Sequence, residues 1–184
     1  MTAPFTTGPG WRSGTPPRLA AILVVLAATI LATGCSRRPS PAPLEHTFES
    51  PEALAREVLK LVEFRDTHRL GQLALSEREF ADLVWPELPA SRPERNLPLD
   101  YVWTDLRTKS RAHLGRIAEQ FGGRRYELVG VSFRGETTTY RSYVVHRKAE
   151  LIVRAAEGHE DRLRLFGSVL ERGGRYKLFS FVVD

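Results

Sequence analysis

Several things are scarce in this 184-residue chain, and each scarcity excludes something. It has one cysteine, Cys35, and one methionine. No intramolecular disulfide can form, so any folded domain must stand on its own core. No acidic residue precedes Glu45. The one markedly apolar run, Leu19–Leu31, is 13 residues long. At about 1.5 Å per residue it falls short of the roughly 30 Å hydrocarbon layer. There is no Gly-rich phosphate loop, no dinucleotide fingerprint, no paired-histidine zinc helix and no cysteine pair. The serines, histidines and aspartates have no nucleophile-elbow context. No cofactor, metal site or catalytic set is therefore expected. The five histidines, His46, His68, His113, His146 and His159, form no short ligand spacing.

What the first segment does contain is ordered. Arg12 and Arg18 form a positive region, Leu19–Leu31 an apolar region, and Ala32, Thr33 and Gly34 a small-residue region ending at Cys35. That sequence of regions marks a secretory signal peptide over residues 1–34. Leu31-Ala-Thr-Gly-Cys35 resembles the lipobox of bacterial lipoproteins, with Ala32 where leucine is commoner. The resemblance implies a diacylglycerol on the Cys35 sulfur, cleavage before Cys35 and acylation, by palmitate or a similar chain, of the new amino group. It also implies attachment in the cell envelope. Ser36 follows the cysteine instead of Asp, which implies the outer membrane facing the periplasm if the host is Gram-negative. Several acyl chains are needed because one chain anchors a protein only reversibly.

Cleavage there would leave 150 residues, with 25 basic against 22 acidic side chains once Arg12 and Arg18 are gone, a charge of +3. So mild a charge, without a basic cluster, gives no nucleic-acid partner. Residues 35–47 carry Pro39, Pro41 and Pro43 and suit a semi-extended tether. The domain is placed at 48–184.

Within it, Ser50-Pro51-Glu52 is a helix start, with Leu54, Val58, Leu61 and Val62 at helical spacing. Leu70–Leu75 continues the apolar pattern, and Ser76-Glu-Arg-Glu79 is a capping box. Pro86, Pro89 and Pro93 exclude regular structure over 85–93. A long helix is predicted from Leu99 to Phe121, ended by Gly122-Gly123. The period then changes to two, giving four strands: Tyr126–Phe133, one within Tyr143–Ala155, Arg162–Glu171 and Tyr176–Val183, the last two joined at Gly173-Gly174. Helices followed by an antiparallel meander make the fold α+β. The last two strands are apolar on both faces, so both need cover. Helices can cover one, and a partner subunit in a homodimer, a curled sheet with a pocket, or the membrane side the other.

This order of elements, ending in Gly-Gly-Arg-Tyr-Lys-Leu178, resembles the nuclear transport factor 2-like fold. The resemblance implies a curved, cone-shaped sheet around a long helix with a pocket at its mouth. A cystatin-like helix on a sheet would have the same order. Enzymes of the cone fold use an acid as general base, which would point to Asp100, Tyr101, Asp105 or Glu127. Trp85, Tyr101 and Trp103 gather near the proline segment and His113 lies on the same helix, so these four are the candidate ligand-binding residues. The expected role is a membrane-anchored module that binds a small apolar ligand or an envelope protein. Isomerase or hydrolase chemistry in the cone and a homodimeric structural module are the alternatives.

Overall fold

A computed structural model describes residues 43–183. The chain divides into two units, Met1–Ser40 and Pro41–Asp184, and every described residue belongs to the second. The expected signal peptide, Cys35 and most of the expected tether lie outside the described residues.

The helical half forms where its capping signals stand. Ser50 caps α1 (Pro51–Glu63) by accepting a hydrogen bond from the Ala53 amide at 3.1 Å, with Pro51 in the first turn. Its inward face buries Leu54, Ala55, Val58, Leu59, Leu61 and Val62. Each such Leu or Val contributes about 1.5–3 kcal/mol when fully buried. Asp66 caps α2 (Thr67–Leu73). Ser76 opens α3 (Glu77–Glu79) through a complete capping box, and the chain runs on as a π-helical turn over Phe80–Val84.

The proline segment departs from the irregular path expected of it. It forms three single 3₁₀ turns, Trp85–Glu87, Pro89–Ser91 and Pro93–Arg95, each with proline in its first turn. Proline lacks an amide proton, but that first position needs none, so it starts these short helices instead of preventing them. Asn96, left-handed at φ 47°, ends the third. Helix α4 (Leu99–Gln120) then runs 22 residues, and Gly123 takes φ +82° just beyond its end.

The α+β class is as expected, and all strand pairs are antiparallel. Two of the expected strands are broken. The second is β3 (Val144–Arg147) and β4 (Ala149–Arg154), interrupted at Lys148 with φ 53°. The third is β5 (Glu160–Leu163) and β6 (Ser168–Arg172), interrupted around Gly167. A side chain on Gly167 would run into the Val182 carbonyl, so the backbone crosses closely there. With β1 (Glu127–Phe133), β2 (Thr138–Thr139) and β7 (Arg175–Ser180), the breaks divide the meander into sheets β1-β4-β5 and β2-β3-β6-β7.

Alternation along β6 and β7 sends neighbouring residues to different cores. Val169 and Leu178 enter one with α1, α2 and the C-terminal part of α4. Leu170 enters the other with Val145, Phe80, Val84 and Trp103. The second sheet face is thus covered by the chain's own π-helical turn, proline segment and start of α4. Both cores, among the described residues, draw only on Leu44–Phe181. Packing therefore begins slightly before Phe48. Phe48 and Tyr176 exchange backbone hydrogen bonds at 2.8 Å, and Arg175 reaches the Thr47 carbonyl at 2.8 Å.

A buried ion pair joins the layers. Lys177 is 1% exposed and Glu79 8%. Lys177 Nζ lies 3.3 Å from Glu79 Oε1 and donates to the Glu45 carbonyl at 2.6 Å. Glu79 also accepts from the Glu45 amide at 2.8 Å and from the Ser76 amide at 2.8 Å. Burial pushes the Lys177 ammonium below its ordinary pKa, and the attraction of Glu79 and Glu45 offsets only part of that. Removing one partner leaves a buried charge. Lys177→Met is expected to cost about 3–5 kcal/mol, with Glu79→Gln added on top recovering part of it. Urea unfolding of both variants measures this, and a loss below about 1 kcal/mol in the single variant would contradict it.

Candidate functional site

A groove of about 350 Å³ lies between α2, α4 and the end of β7. That volume is at the small end of the roughly 300–1,000 Å³ typical of small-molecule sites. Its apolar surface comes from Leu75, Trp103, Leu106, Leu114, Phe179 and Phe181. His68 and Gln72 from α2 and Arg107, Ser110 and Arg111 from α4 supply the polar edge. Among the described lining residues there is no carboxylate.

Local structure explains who lines it. Trp103, Leu106, Arg107, Ser110, Arg111 and Leu114 recur three or four residues apart, one stripe of a 3.6-residue helix. Phe181 N–H donates to Ser110 Oγ at 3.0 Å, which fastens the end of β7 to that stripe. Gly71 on α2 faces the groove, where a side chain would meet open space. Trp103 is 7% exposed and stacks obliquely on Phe80 at 5.3 Å. Its indole Nε1 is buried with no hydrogen-bond partner among the described residues.

Of the four candidate ligand-binding residues, Trp103 alone lines this groove. Tyr101 is 64% exposed and belongs to a shallow depression with Asp100, Thr104, Asp105 and Thr108. Two residues along an α-helix turn the side chain by about 200°, so Tyr101 and Trp103 face opposite ways. Trp85 packs on the second core beside Phe80 at 6.2 Å, not over an opening. His113 contacts Arg116 through Nδ1 at 2.9 Å. Its pKa is lowered by partial burial and then by the Arg116 charge. The candidate residues are thus not brought together at one opening.

Of the residues expected for catalysis, Asp100, Tyr101 and Asp105 share that shallow depression on α4, and Glu127 stands apart on β1. Asp105 pairs with Lys109 at 2.7 Å on the exposed side of α4, and Glu127 pairs with Arg154 at 3.4 Å. Glu87 has a structural role. Burial pushes its pKa up, but bonds from Ser142 Oγ at 2.6 Å and from the Ser142 and Arg141 amides, with the Arg141 charge, outweigh this and hold it low. It pins the first 3₁₀ turn to the turn before β3.

A second polar cluster lies elsewhere, and no motif or spacing along the chain announces it. His146 Nε2 is 2.8 Å from Glu171 Oε2, and its Nδ1 is 3.4 Å from Thr137 Oγ1. Phe133 lies against the ring at 5.0 Å. Burial, then the charges of Glu171 and Glu52, raise the Tyr176 phenol. These residues meet because β3, β6 and β7 are neighbours, which cross-strand register alone decides. The arrangement is a base, an orienting acid and a hydroxyl, but among the described residues it lines neither the α2–α4–β7 groove nor the depression around Tyr101.

Among the described residues no cluster of three or more His, Cys, Asp or Glu could hold a metal ion, and no helix is long and apolar enough to cross a membrane. The chain matches no protein-family model, no curated protein and no solved structure.

Tyr143 gives the second core a pH signature. Its hydroxyl donates to the Val84 carbonyl at 3.2 Å, and burial, followed by Tyr140 and Glu87, raises its pKa strongly. The native value lies above the unfolded one, so this contribution is complete below about pH 10 and is lost as pH rises beyond it. In an alkaline absorbance titration of the folded protein, Tyr143→Phe is expected to remove amplitude only from the late, most alkaline part of the curve. Amplitude lost at about pH 10 instead would contradict the burial of this phenol.

Proposed function

We propose that the protein is an envelope lipoprotein, anchored through acyl chains on Cys35, whose α+β domain is a binding module of the nuclear transport factor 2-like kind. The α2–α4–β7 groove is its site, and its ligand is a small, largely apolar molecule. The observation that carries this reading is the groove's composition: an apolar floor between two helices, a polar edge, and no carboxylate among the described lining residues. Small-molecule sites have this character, whereas general acid–base work asks for a paired acid and base facing the same space. The breaks of the meander at Lys148 and Gly167 support the cone-like comparison, since strands that wrap around a helix need such interruptions.

The anchor reading rests on the order of charged, apolar and small residues before Cys35. A lipid tether would hold the groove next to a bilayer, where apolar molecules are concentrated. That makes a small lipophile a better occupant than a polar metabolite.

Two measurements test the two halves. In the bacterial host, Cys35→Ser should abolish fatty-acid labelling and release the protein from membranes, and unchanged labelling would refute the anchor. A chain starting at Ser36 retains both cores and suits solution work. The neutral dye N-phenyl-1-naphthylamine should bind it saturably, and Leu106→Trp, which fills the groove, should weaken that binding by about tenfold or more, the effect of roughly 1.4 kcal/mol. Absence of saturable binding would refute the groove.

A further inference from the structure

We infer that the groove takes a single-chain fatty carboxylate, its head held by Arg107 and Arg111 and its tail laid along the apolar floor; this rests on the groove being the ligand site. The charges point to the head. Arg107 and Arg111 stand four residues apart on one stripe of α4, both exposed and both lining the groove. Like charges at that spacing repel. Other cations on the helix have side-chain partners: Lys109 has Asp105 at 2.7 Å, and Arg116 contacts His113 at 2.9 Å. Arg107 and Arg111 have no ion pair or side-chain hydrogen bond among the described residues. With His68 across the opening and no carboxylate among the described lining residues, this edge complements an anion.

Guanidinium geometry narrows the choice. Its planar fork matches a carboxylate with two parallel hydrogen bonds, and two forks one turn apart can share one carboxylate or place it between them. The tail is set by the remaining walls. Leu106 and Leu114 lie on the same stripe, Leu75 enters from the end of α2, and Phe179 and Phe181 come from the end of β7. A volume of about 350 Å³ is small for a ligand site and suits one chain better than two. The orientation follows: head at the exposed arginines, tail toward the aromatic pair at the end of β7.

The test uses the chain starting at Ser36, with dodecanoate, dodecanol and dodecyl phosphate as probes below their aggregation concentrations, by calorimetry and dye displacement. Dodecanoate should bind about ten- to a hundredfold more tightly than dodecanol, the range expected for charge-assisted hydrogen bonds. In an Arg107→Gln/Arg111→Gln double variant with unchanged circular dichroism, that ratio should fall towards one. Equal affinity for the acid and the alcohol in the unaltered chain would overturn the anionic head while leaving an apolar groove intact. A ratio that survives the double variant would overturn the assignment to these two arginines. Tighter binding of dodecyl phosphate than of dodecanoate would overturn the choice of carboxylate. Binding of none of the three, with no dye uptake either, would remove the groove itself.

Discussion

A lysine ammonium held almost wholly out of water sets the geometry on which the rest of this domain depends. Lys177 sits in β7 with its head group between Glu79 and the Glu45 carbonyl. Desolvating two charges is costly, and their mutual attraction offsets this only when the geometry is right and the remaining hydrogen bonds are made. Here they are made: Glu79 also binds the Glu45 and Ser76 amides. A buried pair of this kind is weak evidence of net stability, but it tolerates few alternative arrangements. It ties the entering chain at Glu45, the cap of α3 and strand β7 to one point. Any shift of α3 against the sheet would strand a charge.

The consequences spread outwards from that point. With α3 fixed, the π-helical turn delivers Phe80 and Val84 to the face of the sheet that carries Val145 and Leu170. Glu87 then fastens the first 3₁₀ turn to Arg141 and Ser142. On the opposite face, α1 packs against Val169 and Leu178. Leu75 pairs with β7 through its amide, bonded to the Leu178 carbonyl at 3.0 Å, and so forms one end of the groove. The groove's walls are therefore positioned by the same β7 that carries the buried lysine. A site built on two helices and a strand end has a defined shape without a ligand, which lowers the ordering cost of binding.

Much of this was legible in the residues. Ser50-Pro51, the Ser76–Glu79 box and Gly122-Gly123 mark helix boundaries because each answers a local need for a donor, an acceptor or a positive φ. The helix-then-strand order and the two-faced apolarity of the last strands announced an α+β fold with cover on both sides. The breaks at Lys148 and Gly167 were not legible. A lysine at φ 53° has no local signature, and Gly167 is required by a backbone crossing that exists only in the fold. Lys177 stands between Tyr176 and Leu178 like an outward polar residue of an alternating strand, and only the arrival of α3 buries it. The site was legible least. Trp85, Tyr101 and Trp103 are near in sequence, yet α4's rotation and the 3₁₀ turns separate them. Arg107 and Arg111 carry no signal of their own in the sequence, because their meaning depends on α2 lying opposite.

The site we propose for ligand is the α2–α4–β7 groove and not the His146–Glu171 cluster on the sheet. Amide chemical shifts of the chain starting at Ser36, followed through a dodecanoate titration, locate binding directly. The largest changes are expected on residues 67–75, 103–114 and 179–181. Changes centred on Thr137, His146, Glu171 and Tyr176, with the α4 stripe unmoved, would contradict that claim.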